Sequence, residues 1–464
     1  MSTPPVLAAS IGNCKEYKPE CVSHGQEVLF YTAMALIAVG MGGHLTSFKA
    51  FLEEQIMEDE DEIYFNISTF CSAYVAEFSV TIVALVIVLG FPYINPWSIR
   101  FGIPTICTLV ATILFFTGSC SYTYGRPRGS ALTMFFRVFV VAVSKLLHRS
   151  PRDPTDLYET NDPGLHMVPH TNSLRCLDKA AIVVTQPREE QENIVWRLCR
   201  VTEVEETKAI IRMIPVWMTF ILCGVVSALG FTFFIAQLDH LNPKLGKLKI
   251  PTVFLFVFFE QAVNQLAKNY DTLANVYAEM RLGNIPPLIG IAISMILAIL
   301  CCITAAKIEE RRLGVVRKHD LVDKPDERVP MTIFWLLSQF VLLGLFQDTF
   351  YNCAITFSVV QSSMSTRRYT PLFVKAMFGV GIIGSVLSVY VVGKVSERGG
   401  KMNWFQKNLN ASRIDKYYWT LAWLMAVNLV VYILVALLYR YNEGKLRRGQ
   451  ENPDQDDSEV ECCC

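Results

Sequence analysis

Glu260, Asn264 and Lys268 recur at every fourth position inside the apolar run Pro251–Asp271, so a helix there would align them on one face. Gln261 and Gln265 widen that stripe. An ionisable side chain at bilayer depth is costly and by default marks a solute or ion path. On such a path Glu260 could accept a proton and Lys268 could contact an anion. The same stripe could instead bind a neighbouring helix, with Lys268 snorkelling to the interface. A second polar group, Gln347, Asp348, Tyr351 and Asn352, falls at helical spacing in the run Met331–Val359. Asp348 could carry a proton or pair locally. Glu77, with Tyr74 and Ser72 beside it, is a third buried carboxylate that could carry a proton or serve packing. Ser227, inside the run Met213–Gln237, could line the path or simply pack.

None of these groups forms an enzyme constellation. The sequence shows no nucleotide loop, no hydrolase motif and no zinc-type spacing of Cys and His. No catalytic residue, metal or cofactor is therefore expected. Of the 14 cysteines, Cys71, Cys107, Cys223, Cys301, Cys302 and Cys353 lie in apolar runs, where thiols behave as small hydrophobes. Cys14 and Cys21 could form a disulfide if their segment lies outside the cytoplasm. Cys462, Cys463 and Cys464 could carry a lipid, although Glu461 rules out a Cys-a-a-X box.

The elements that must position these residues are long apolar runs. The chain of 464 residues is 52% hydrophobic and 18% charged, less charged than the usual quarter or so. Its net charge of zero gives no pull toward nucleic acid. The runs Val28–Ala50, Phe70–Phe91, Phe101–Cys120, Met213–Gln237, Pro251–Asp271, Ile285–Ala306, Met331–Val359, Leu372–Val392 and Tyr418–Tyr439 each approach the roughly 20 residues that cross a bilayer. In lipid every backbone polar group must pair within its own segment, so these runs predict an all-α membrane protein of about nine spans. Leu132–Leu147 is shorter, is interrupted by Arg137 and Lys145, and predicts an interfacial or cytosolic amphipathic helix.

The spans divide three plus six around the polar segment Arg149–Lys208. The predicted domains are a partial N-terminal bundle (1–122), a cytoplasmic connector with the amphipathic helix (123–209), a C-terminal six-helix bundle (210–440) and a cytoplasmic tail (441–464). Basic residues in the connector and in Arg440–Arg448 place both in the cytoplasm, and six spans separate them. Lys307–Arg328, which reads as a solvated charged loop, and Ser396–Lys416 are basic too and would then face outward, against the same rule, whereas Asn410-Ala-Ser412, an outward sequon that could be glycosylated, favours this orientation. Gly40, Gly42 and Gly43, like Gly379, Gly381 and Gly384, permit close helix contact or bending.

Several stretches, in order, resemble the plant nitrate transporter and peptide transporter family, part of the proton-dependent oligopeptide transporters. Arg175-Cys-Leu-Asp-Lys-Ala-Ala181 is similar to the family's connector signature. Trp196-Arg-Leu-Cys199, Val201-Thr-Glu-Val-Glu-Glu-Thr-Lys208 and Pro215-Val-Trp217 resemble the entry to its seventh helix. Ile250-Pro251 and Tyr270-Asp271 resemble the ends of the eighth, and Val329-Pro-Met-Thr-Ile-Phe-Trp335 the tenth. Trp404-Phe405, Leu409-Asn410 and Tyr418-Trp419 resemble the approach to the twelfth, and Gly40-Met-Gly-Gly-His44 the end of the fourth.

The resemblance implies major-facilitator-type bundles with helices four to twelve present and the first three absent. It implies a secondary transporter of nitrate, peptides or related small anionic or zwitterionic solutes, proton-coupled, in a plasma or vacuolar membrane. Glu260, Asn264, Lys268, Ser227, Gln347 and Tyr351 are then the residues expected along the substrate path. Three positions depart from the family pattern. Leu45 stands where the fourth helix has Lys, Ser227 where the seventh has its nitrate-contacting His, and Gln347 where the tenth has Glu. The other reading is a non-transporting family member that binds or regulates a full-length relative.

Overall fold

In this computed structural model the described residues are 24–56, 90, 97–122, 131–148, 157–158, 170–171, 173–184, 196–242, 244–245, 248–249, 287–324, 327–362, 366–367, 369–398, 400–406 and 408–451. The chain forms two compact units, Met1–Arg128 and Gly129–Cys464. The first holds α1 (His24–Ile56) and α2 (Trp97–Thr117). Phe51 of α1 packs edge-on against Phe115 of α2 with ring centroids 5.3 Å apart.

The second unit begins with α3 (Ala131–Ser144) and the short α4 (Arg175–Asp178). A discontinuous helix follows as α5 (Val201–Met218), α6 (Phe220–Ser227) and α7 (Phe233–His240). Then come α8 (Pro287–Lys318), α9 (Leu337–Val360), α10 (Thr370–Ser396) and α11 (Ile414–Glu451). Among the described residues, seven helices are long and apolar enough to cross a membrane. They match seven of the predicted spans. Phe70–Phe91 and Pro251–Asp271 lie outside the described residues.

The core of the second unit is an apolar cluster shared by α5 to α11, with Trp217, Phe220, Phe234, Phe346, Phe350 and Phe378 all buried. The Leu132–Leu147 run is helical as far as Ser144, as expected of most of it. Its Val138, Val141 and Ala142 pack on Leu177, Ala180, Ala181, Cys199 and Val204 of the connector. Arg137 pairs with Glu203. Lys145 Nζ donates to the carbonyls of Ala180 at 3.2 Å and Ile182 at 2.6 Å. Burial lowers the Lys145 ammonium to about 8 and raises the Cys199 thiol to about 11. Desolvation disfavours the charged form of each, so Cys199 is an inert core thiol.

Two expectations are corrected here. Lys307–Arg328 is not a solvated loop along its whole length, because α8 continues to Lys318. Glu309 is 0% and Arg312 1% exposed. Their bidentate pairing, Arg312 Nε to Glu309 Oε2 at 2.8 Å and Nη2 to Oε1 at 2.7 Å, lets two charges stay inside a helix bundle. Gln237 donates to Glu309 Oε2 at 2.7 Å and Gln339 donates to Gln237 at 3.1 Å, which ties α7, α8 and α9 together.

Asn410 is also corrected. It is 3% exposed. Its Oδ1 accepts from Arg312 Nη1 at 2.8 Å, and its Nδ2 donates to the Leu321 carbonyl at 3.0 Å. A glycan would have to be attached to that enclosed Nδ2. Mass spectrometry of the peptide spanning 408–413 is expected to find Asn410 unmodified. Asn410→Ala is expected to cost about 1–3 kcal/mol in unfolding free energy, because Arg312 and the Leu321 carbonyl each lose a partner. A glycosylated Asn410, or an alanine variant with unchanged stability, would remove this account.

Candidate functional site

The site is built on the break between α5 and α6. Pro215 supplies no N–H for the helical bond to the residue four back, and the regular helix stops at Met218 and restarts at Phe220. Here Asn428 of α11 donates Nδ2 to the Thr219 carbonyl at 2.9 Å. Below the break, Trp217 donates Nε1 to Ser358 Oγ of α9 at 3.1 Å and stacks on Phe373 of α10 at 5.5 Å between centroids. Neither Asn428 nor the Trp217 anchor was legible from the sequence; Pro215 was the one signal of a break.

Ser227 is the last residue of α6, before a turn of 3₁₀ helix over Ala228–Phe231. It is 1% exposed. Gln347 of α9 donates its amide Nε2 to the Ser227 hydroxyl. On the same helix Asn352 donates to Asp348 Oδ2 at 3.3 Å. The Tyr351 ring lies 4.8 Å from that of Phe378 on α10. Gln347, Asp348 and Tyr351 are partly exposed and Asn352 is exposed. They stand midway along the 28-residue span Ile333–Val360. Polar groups at mid-span do not face hydrocarbon without a large cost; they face protein or a wet cavity.

The structure thus brings Ser227 and Gln347 into contact and sets Asp348, Tyr351 and Asn352 beside them. Glu260, Asn264, Lys268, Glu77, Cys14, Cys21, Cys462, Cys463 and Cys464 lie outside the described residues.

A second charged cluster joins the connector to α5. Lys208 Nζ lies 2.7 Å from Asp178 Oδ1 and 2.7 Å from Glu205 Oε1, and donates to the Thr171 carbonyl at 3.0 Å. His170 lies 3.0 Å from Asp178 Oδ2. The ligand atoms of His170, Asp178 and Glu205 lie close enough together to suit a metal ion, but the buried Lys208 ammonium already supplies the positive charge between the two carboxylates. The cluster is a clasp. It gives the connector signature Arg175–Ala181 a mechanical role, since Asp178 is one of its jaws.

The family model described as PTR2, the POT family, matches residues 6–405. Protein NRT1/ PTR FAMILY 5.5 of Arabidopsis thaliana is 36% identical over 442 residues, covering 94% of this chain and 82% of that protein. Protein NRT1/ PTR FAMILY 8.1 of the same plant is 30% identical over 458 residues, covering 94% and 79%. Among solved structures, the POT family transporter PepTSo superposes with a TM-score of 0.57 at 15% identity, covering 89% of this chain and 79% of that one. An auto inhibited POT family peptide transporter gives a TM-score of 0.53 at 16% identity, covering 88% and 77%. At that identity the likeness is one of fold alone.

Proposed function

The chain belongs to the POT family of multi-pass membrane transporters, and from that premise we propose that it carries nitrate, peptides or a related small anionic or zwitterionic solute across a plasma or vacuolar membrane, coupled to protons. The observation that carries this reading is the polar group at mid-span of α9, Gln347, Asp348 and Tyr351, with Gln347 bonded to Ser227 of α6. Such a face is wasted against lipid and useful against a hydrated solute. Transport follows from alternating access, with the two bundles rocking about a site near the bilayer midplane. The segment 123–209 would act as the connector between bundles 1–122 and 210–440, and 441–464 as a cytoplasmic tail. Asp348 is the proton carrier of this face, and Glu260 and Glu77 are the others proposed.

The test is uptake of nitrate and of dipeptides by proteoliposomes holding the full chain, with and without an inward proton gradient. Gln347→Leu is expected to slow uptake about tenfold, the equivalent of the one hydrogen bond, about 1.4 kcal/mol, that holds Gln347 to the buried Ser227 hydroxyl. Asp348→Asn is expected to abolish the response to the gradient. Full uptake by Gln347→Leu, or an unchanged gradient response in Asp348→Asn, removes that residue from the mechanism. Reconstituted protein that moves none of these solutes would instead favour a non-transporting partner of a full-length relative. The neutral Ser227–Gln347 pair, standing where the family pattern has His and Glu, supports that second reading.

A further inference from the structure

The Glu309 carboxylate heads a chain of hydrogen bonds whose far end is an unmet acceptor. Gln237 Nε2 donates to Glu309 Oε2 at 2.7 Å, and Gln339 Nε2 donates to Gln237 Oε1 at 3.1 Å. Glu309 fixes the sense of that chain. Only an amide N–H can face an ionised carboxylate, so Gln237 turns its oxygen to Gln339, and Gln339 turns its own oxygen away. That atom, Gln339 Oε1, has no partner among the described residues. The hydroxyl of Tyr418 on α11 has none either. Both side chains are 0% exposed. Buried polar groups are paired in the great majority of cases, because a water partner given up on folding must be replaced.

The two orphaned atoms share one set of neighbours. Cys301 of α8 donates Sγ to the Gln339 carbonyl at 3.4 Å, and the Tyr418 hydroxyl interacts electrostatically with Cys301, Glu309 and Arg312. The Phe234 ring of α7 lies 5.5 Å from that of Phe340, next in sequence to Gln339, and 5.9 Å from the Tyr418 ring. The occupant that would satisfy both atoms is neutral, since Glu309 and Arg312 already match each other's charge. It must donate to Oε1 and also bond a hydroxyl, which can give or take. Water does both, and a buried water makes about two to four such bonds.

We propose that one buried water molecule bridges the Tyr418 hydroxyl and the Gln339 amide oxygen. It accepts from Tyr418 and donates to Gln339 Oε1. The chain then runs unbroken from α11 through α9 and α7 to Glu309 of α8, with every donor pointing toward the carboxylate. Hydrogen bonds aligned in one sense polarise and strengthen one another. The water thus adds α11 to the helices that Glu309 holds together.

The test exposes the full chain in nanodiscs to short X-ray pulses. Hydroxyl radicals form from bound as well as bulk water and label the side chains beside them, and peptide mass spectrometry reads the rate at each tyrosine. Tyr432 is the control: it is 1% exposed, and its hydroxyl donates to the Leu288 carbonyl at 2.7 Å. Tyr418 is expected to be labelled several-fold faster than Tyr432. In Gln339→Leu, shown to be folded by its size-exclusion profile, that excess is expected to vanish. Equal rates at the two tyrosines, or an excess that survives in the folded variant, would overturn the bridge. If the variant does not fold, cryo-electron microscopy of the unaltered chain decides. Density for a water within hydrogen-bond distance of both atoms upholds the proposal. No such density, or a Tyr418 hydroxyl bonded directly to Gln339, refutes it. None of these results depends on whether the chain transports.

Discussion

Gly381→Ala is expected to leave little folded protein, although it adds a single methyl group. Helices α6 and α10 cross at Gly224 and Gly381, and the contact is backbone on backbone. A β-carbon at Gly381 would overlap the Ile221 carbonyl oxygen and lie 2.8 Å from the Gly224 Cα. A β-carbon at Gly224 would overlap the Phe378 carbonyl oxygen and lie 2.9 Å from the Gly381 Cα. Each glycine Cα–H therefore points at a carbonyl of the other helix, a close approach that only glycine allows. Side chains can turn away from an added methyl group, but carbonyl groups fixed in two helices cannot. Overpacking at an adaptable site costs about 1–3 kcal/mol; here the helices must separate, so the cost reaches the upper end or beyond. That is a large part of the roughly 5–15 kcal/mol that holds a protein folded. Gly379→Ala and Gly384→Ala, on the same helix, are expected to be tolerated. A β-carbon at Gly379 meets nothing within 4 Å, and at Gly384 it meets only the Val225 Cγ2 at 3.9 Å. Size-exclusion chromatography of detergent extracts after stepwise heating would read the difference. A Gly381→Ala variant as heat-stable as Gly379→Ala would sink the account.

That contrast marks how far the sequence could be read. The apolar runs were legible because lipid leaves a chain few options: about 20 apolar residues in a row can pair their backbone only as a helix. The glycines were visible as a group, but composition could not tell that Gly381 touches a helix and Gly379 does not. Their difference is a rotation of two residues around α10. The end of α8 was misread for a related reason. Lys307 to Lys318 is dense in charge and reads as loop, yet Glu309 and Arg312 are three apart and satisfy each other, which allows the helix to stay buried. Pairing across space, like the Asn428 donation to Thr219, has no local signature. The candidate site was partly legible. Ser227 and Gln347 were singled out from different helices, and they touch. The stripe of Glu260, Asn264 and Lys268 lies outside the described residues.

Replacing Arg312 with Met is expected to destabilise the second unit by about 3–5 kcal/mol, and Glu309→Met by a similar amount, because each leaves the other charge buried and unpaired. The double variant is expected to be more stable than either single one. Removing both charges removes both desolvation costs, and two methionines fill a similar volume with apolar surface. Part of the loss remains, because some hydrogen-bonding groups are left without a partner, as they already are in the single variants. The groups that lose one are the Gln237 amide, Asn410 Oδ1 and the Leu409 carbonyl, which the pair now engages at 2.7, 2.8 and 3.0 Å. Thermal or chemical unfolding of the three variants in one detergent forms a double-mutant cycle, and its interaction energy isolates the pair. Additive losses, with the double variant the least stable, would mean that Glu309 and Arg312 act through separate partners. The expected pattern instead assigns the pair a mechanical task. Arg312 holds the loop around Leu409 and Asn410 against α8, while Glu309 holds α7 and, through Gln237, α9. Three helices and a loop then meet at one ion pair, at the opposite end of the discontinuous helix from the Lys208 clasp. A transporting bundle that moves as a rigid body needs such fastenings at both ends, leaving the polar face at mid-span as the part free to bind.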